Sequence, residues 1–214
     1  MGLYMKPGDI EAQSFAIISE MLGDRQFPPE QESIVKRCIH TSADLDYADN
    51  LYCSPGAVEA MKKALAAKAC IVTDTQMVKS GINSKVVEKL GVEVLCFMAD
   101  THVAAEAAAR GHTRAVVAME KAIALGKDAD RPFIFAVGNA PTALLCLHQA
   151  MQKGYRPAGI IAVPVGFVNV VESKELIMAG SAHCIVARGR KGGSTIAAAI
   201  CNALLYDLAG REYS

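Results

Sequence analysis

Arg37 and His40 stand one helical turn apart in the run Lys36-Arg37-Cys38-Ile39-His40, followed by Thr41-Ser42-Ala43-Asp44. A guanidinium beside an imidazole is what acid–base work on an acidic substrate needs. The first binds an anion, and an ordinary imidazole titrates near ~6.5, close to neutrality. A histidine close to a helix C-terminus also has a purely structural use, because the helix dipole stabilises its charged form. Both readings of His40 stay open on the pair alone.

Two glycine-rich turns carry a complementary capacity. Arg188-Gly189-Arg190-Lys191-Gly192-Gly193-Ser194-Thr195 follows an apolar run and opens a helical one. Glycines let the backbone approach a ligand, and free N–H groups at a helix start attract an anion. A helix terminus supplies only ~0.3–1 kcal/mol toward an exposed anion. Several carboxylates or phosphates would therefore need Arg188, Arg190 and Lys191 as well. The plainer alternative is a tight turn with solvated charges, in which Ser194 caps the helix. The spacing is not G-x-x-x-x-G-K-[ST], so a nucleotide P-loop is not supported.

Gly138-Asn139-Ala140-Pro141-Thr142 has the same strand-to-helix placement. Pro141 suits a first helical position, and Asn139 or Thr142 either faces a ligand or serves as ordinary capping chemistry. Arg110 and Arg114 are four apart across a break at Gly111, so either both are solvated or one points into a site. Ser14 is mid-helix and unremarkable by itself. The remaining histidines, His102, His112, His148 and His183, form no H-x-x-x-H or His–carboxylate cluster, and no metal site is expected. No G-x-S-x-G elbow follows a strand, which argues against a Ser-His-Asp hydrolase.

The elements that must position these groups follow from apolar periodicity and from Gly and Pro punctuation. Helices are expected over 9–21 and 28–40, then an irregular acidic loop over 41–52. Ser54-Pro55 reads as a cap and first helical residue for a helix to about Lys68. Strands at 69–73, 92–98, 132–137, 158–163 and 183–187 then alternate with helices at 83–90, 101–125 (broken near Gly111), 141–153, 170–179 and 193–209. Asp100 is expected to cap the helix that follows it. The pattern implies a single α/β domain over residues 1–214. It has a mainly parallel five-stranded sheet, helices on both faces, and the N-terminal helices of 9–40 packed on the sheet. In such sheets ligands bind outside the carboxyl ends of the strands. The turns at 138–142, 164–167 and 188–195 all fall there.

Composition agrees. Of 214 residues 52% are hydrophobic but only 6% aromatic, so Ala, Val, Ile and Leu supply the core. Lys+Arg and Asp+Glu balance at 22 each. With few aromatics and no basic excess, nucleic-acid binding is not expected. Seven cysteines at 38, 53, 70, 96, 146, 184 and 201 contain no C-x-x-C pair. Cys70, Cys96 and Cys184 lie in the apolar runs read as strands. Reduced, mostly buried thiols in a cytoplasmic protein are the expectation. No basic-then-apolar signal region opens the chain, and no apolar stretch reaches the ~18 residues of a membrane span.

Taken together, four segments resemble the precorrin-8X methylmutases of corrin biosynthesis, including the cobalt-precorrin-8 form. They are Arg37-Cys38-Ile39-His40, Gly138-Asn139-Ala140-Pro141-Thr142-Ala143-Leu144, Val163 to Val168 with Glu172-Ser173-Lys174, and Arg188 to Ser194. The likeness runs from about Pro7 to Ala209. It implies an isomerase without a cofactor that moves a methyl group from C-11 to C-12 of a tetrapyrrole, giving hydrogenobyrinate or cobyrinate. It also implies a homodimer with large substrate pockets. The resemblance places the acid–base role on His40, and substrate binding on Ser14, Arg37 and Arg114, then Asn139, Thr142, Gly192, Gly193 and Ser194. Where the family is expected to have Gly-Asp after the histidine, this chain has Ala43-Asp44. The competing functions are a non-catalytic tetrapyrrole carrier and a nucleotide- or phosphate-dependent enzyme.

Overall fold

The computed structural model describes residues 7–210. Two helices lead: α1 (Pro7–Leu22) and α2 (Pro29–Ser42), the second with proline in its first turn and Glu30 and Glu32 at its N-terminal dipole. Next come α3 (Tyr47–Asn50), β1 (Leu51–Cys53), α4 (Ala57–Ala66), β2 (Cys70–Thr73), α5 (Gln76–Gly81), α6 (Ser84–Leu90) and β3 (Glu93–Leu95). The chain continues through α7 (Thr101–Arg110), α8 (Arg114–Asp128), β4 (Phe133–Val137) and α9 (Pro141–Gln152). It ends with β5 (Gly159–Ala162), α10 (Val170–Met178), β6 (Cys184–Ala187) and α11 (Ser194–Ala209).

The sheet has six strands in the order β1-β6-β5-β4-β2-β3, not the five expected. The sixth is β1, inside the segment read as a loop. It pairs antiparallel with β6, Tyr52 opposite Val186. Three residues carry too little periodicity to mark a strand; the free edge of β6 supplies the reason to extend. The other neighbours are all parallel. Their order is doubly wound, and the direction of winding reverses between β2 and β4. A crevice opens at such a reversal.

Alternation along each strand separates two cores. Ile71, Ile134, Ile161 and Ile185 face one side, sharing a cluster with Ile34, Val35, Cys38 and Ile39 of α2 and with the buried face of α11. Val72, Phe135, Val137, Ile160 and Val186 face the other, against α8, α9 and α10. Each such side chain contributes roughly 1.5–3 kcal/mol when fully buried. α11 is the central helix of the first layer. Its Ile196, Ala197, Ile200, Ala203, Leu204 and Leu205 are all buried, and α2 packs across it.

Local details both follow and depart from expectation. The break near Gly111 is real: α7 ends there in a left-handed cap and α8 restarts at Arg114. Asp100 caps α7 by accepting the His102 N–H at 2.9 Å. Ser54 does not cap α4, since Gly56 occupies that position. The Ser54 hydroxyl accepts the Cys184 N–H at 2.9 Å and ties β1 to β6. Cys96 lies just beyond β3 and is partly exposed, whereas Cys38, Cys70, Cys146, Cys184 and Cys201 are buried.

Candidate active site

Apart from Ser14, the expected site residues are joined by a chain of contacts that runs past the strand-end turns at 138–142 and 188–194. At one end α2 terminates. His40 is exposed, and its ring stacks on Phe15 of α1 at 5.4 Å between centroids and 22° between planes. Arg37, a turn earlier, is only 9% exposed. Its guanidinium meets the Glu11 carboxylate at 2.5 Å and lies over both Phe15 (5.4 Å) and Tyr206 (4.8 Å). The arginine expected to stand open to a substrate carboxylate is thus held by its own protein, and it also fixes the α1–α2 corner on which His40 rests. Arg37 and Thr41 line one wall of an open groove of about 210 Å³, with Thr195, Ala198 and Asn202 of α11 opposite.

Ser14 precedes Phe15 on α1. Its hydroxyl donates back to the Ile10 carbonyl at 2.7 Å, an ordinary mid-helix bond. Spacing puts it on the outer stripe with Ile10, Ile17 and Met21, which are 48%, 49% and 61% exposed.

The 188–194 turn is anchored from three sides. The Lys191 ammonium bonds Asp44 and Asp46, both at 2.6 Å, so the turn is tied to the segment just past His40. These contacts hold the Asp44 carboxyl below the usual carboxylate range. Ala43, where the resemblance expects glycine, adopts φ 54° and caps α2 with its N–H on the Ile39 carbonyl. The chain therefore takes the left-handed corner without glycine, and Asp44 still reaches Lys191. Gly193 donates its N–H to the Val163 carbonyl at 2.8 Å. A Cβ at Gly192 would lie 2.1 Å from that same carbonyl oxygen, and its φ is 154°, so no other residue fits. Arg188 stacks over Tyr52 at 4.8 Å.

Ser194 does not cap α11 with its side chain; its hydroxyl shares a hydrogen bond of 3.0 Å with Thr75. Beside it lies Gly138, where an added Cβ would meet the Ser194 Cα at 2.7 Å. The two glycine-rich turns are therefore in direct backbone contact. The 138–142 turn closes around Asp74, a fully buried carboxylate at the end of β2. Asp74 accepts the N–H groups of Gly138, Asn139 and Ala140 at 2.9, 2.8 and 2.7 Å. Burial nevertheless raises its pKa, with the three N–H bonds opposing. Asp74 thus spans the winding reversal between β2 and β4. Its only sequence signal is a lone acid after an apolar strand, Thr73-Asp74-Thr75, which ordinary turn chemistry also explains.

The turn leaves Asn139 exposed. Thr142 shares a hydrogen bond of 3.1 Å with Thr113, the residue preceding α8. Arg114 follows, exposed and without a hydrogen-bond or ion-pair partner among the described residues. Arg110 by contrast is held by Glu106 (2.7 Å) and Glu120 (2.5 Å). The pair across the Gly111 break is therefore asymmetric: one arginine is structural, the other available. The connected groups can hold an anionic, largely apolar molecule at several points and bring an imidazole to its edge. Among the described residues no group of three His, Cys, Asp or Glu side chains is arranged to hold a metal ion.

Comparison with known proteins gives this site a context. Residues 9–207 match the family model described as CbiC, precorrin-8X methylmutase. The chain is 41% identical over 213 residues to the cobalt-precorrin-8 methylmutase of Salmonella typhimurium, covering 97% of this chain and 99% of the relative. It is 38% identical to the precorrin-8X methylmutase of Pseudomonas aeruginosa, covering 94% and 96%. Among solved structures, the precorrin-8X methyl mutase of Thermus thermophilus superposes with a TM-score of 0.86 at 40% identity, covering 94% of this chain and 98% of that one.

Proposed function

The chain belongs to the precorrin-8X methylmutase family, and from that premise we propose that it moves the C-11 methyl group of precorrin-8X, or of its cobalt form, to C-12. As a member of that family it is an isomerase. The observation that carries the reading is the family match over 9–207, and the exposed His40, to which the resemblance assigns the acid–base role, supports it.

The shift is intramolecular, so the protein's work is to hold the ring and place a proton. The substrate's acetate and propionate groups call for guanidinium forks and backbone N–H groups, and its macrocycle for apolar cover. Arg114 and the N–H groups of Gly192 and Ser194 suit the former, with Asn139 and Thr142 beside them, while the Gly193 N–H holds the turn on the Val163 carbonyl. Val165, Phe167 and Val168, which are 47%, 85% and 77% exposed beside the same turn, suit the latter. Arg37 sets the helix corner under His40, and Ser14 flanks it. His40 donates a proton to the conjugated system, which makes the receiving ring carbon, C-12, electron-poor, and takes it back once the methyl has moved. General acid help of this kind is typically worth ~10²–10⁴-fold.

The reading includes a homodimer in the cytoplasm. The exposed apolar stripe of Ile10, Ile17 and Met21 on α1 supports the dimer. No helix among the described residues is long and apolar enough to cross a membrane.

Incubating the purified protein with precorrin-8X, and separately with its cobalt form, tests the assignment, because substrate and product differ in absorption. Conversion without added cofactor is expected from one of them. Tight binding with no spectral change would instead identify a carrier.

A further inference from the structure

Lys174 on α10 is 1% exposed. Its ammonium donates to the carbonyls of Gly189 and Lys191, both at 2.8 Å. The carbonyl between them, that of Arg190, accepts the Gly166 N–H at 3.2 Å. Three successive carbonyls of one exposed loop are therefore engaged by the body of the protein. Burying an ammonium is costly unless hydrogen bonds compensate, and burial lowers the Lys174 pKa to about 8. An apolar residue at this position would avoid that cost and leave two carbonyls unsatisfied.

The side chains of this stretch point elsewhere. Lys191 is committed to Asp44 and Asp46. Arg190 is exposed and has no hydrogen-bond or ion-pair partner among the described residues. Its backbone is joined through Gly166 to the segment that carries the exposed Phe167 and Val168, and its neighbour Lys191 links to the segment beyond His40.

Resting on the function proposed above, we propose that Lys174 is a positioning residue: its two hydrogen bonds hold the 188–194 loop in the conformation that presents Arg190 to a carboxylate of the tetrapyrrole. Lys174 itself, sealed beneath the loop, does not touch the substrate.

The experiment uses the full chain and four forms: wild type, Lys174→Met, Arg190→Ala and the double variant. Hydrogen exchange without ligand reads the loop directly. Steady-state conversion of the tetrapyrrole and absorption titration with the corrin product read its consequence. Lys174→Met should speed exchange in the 188–194 segment while the strands keep their protection. Its KM and product Kd should rise about 10-fold with kcat within about threefold, the loss of one charge-assisted contact. Arg190→Ala should give the same rise with unaltered exchange, and the double variant should be no worse than either, since both remove one interaction. Unchanged loop exchange in Lys174→Met, or losses that multiply in the double variant, would overturn the proposal. Lys174→Gln, which keeps a shorter donor, carries the same readouts if the Met variant does not fold. A wild-type protein that fails to convert substrate refutes the methylmutase reading instead. The exchange data and product titration then still decide the role of Lys174.

Discussion

The imidazole of His40 lies flat against the ring of Phe15, 5.4 Å away, so that a residue of α1 sets the orientation of a side chain at the end of α2. An exposed histidine would otherwise sample several rotamers. The stack selects among them at the cost of no polar contact, leaving the imidazole edge open to a substrate.

Replacing His40 by Ala should lower kcat by ~10²–10⁴-fold while product binding and thermal stability stay near wild type, because the side chain is exposed. Phe15→Leu keeps most of the buried volume and removes the flat ring. A smaller loss of kcat, about 10-fold, is expected with KM little changed. Single-turnover absorbance and a melting curve check both. Full turnover by His40→Ala would remove the imidazole from the mechanism.

The two arginines around Gly111 should separate cleanly. Arg114→Ala should raise KM about 10-fold or more with no change in melting temperature, since no group among the described residues depends on its guanidinium. Arg110→Ala breaks contacts to Glu106 and Glu120 and should leave KM alone. Steady-state kinetics on both variants decide it, and equal effects would contradict the asymmetry.

Asp74→Ala should be among the more damaging single substitutions. It leaves three N–H groups without their acceptor, in a turn that touches Ser194, and an unsatisfied buried group costs about 1–3 kcal/mol. A loss of about 3–5 kcal/mol is expected in urea unfolding, with partial relaxation of the turn. Asp74→Asn retains one oxygen and should lose less. Both should also raise KM, because Asn139 and Thr142 ride on the same turn.

Alkaline pH should destabilise the protein through its thiols. Burial pushes Cys146 up to about 11 and Cys53, Cys70 and Cys201 up to about 12, against ~8.5 in an unfolded chain. A group whose folded pKa is raised contributes its full stability below the unfolded value and loses it as pH climbs toward the folded one. Stability under reducing conditions should thus fall steadily from about pH 8.5 upward. Melting curves across that range check it, and Cys201→Ala should flatten the slope.

What could be read from the residues was local. Apolar runs such as Ile71-Val72 and Ile160-Ile161 mark buried parallel strands because no polar residue interrupts them. Gly91 and Gly111 mark helix ends because the left-handed cap favours glycine. The order of strands and helices, the placement of both glycine-rich turns at strand ends and the family likeness all come from such signals. What only the tertiary structure decided was long-range. β1 became a strand because β6, more than 130 residues later, offered an edge. Arg37 was claimed by Glu11, Asp74 by a turn 64 residues away, and Lys191 by Asp44, 147 residues back. A charged residue's type and spacing state what it is able to bind. Which of its possible partners it meets is settled by how the helices and strands pack, so the same guanidinium serves as a strut at 37 and 110 and stays open at 114 and 190.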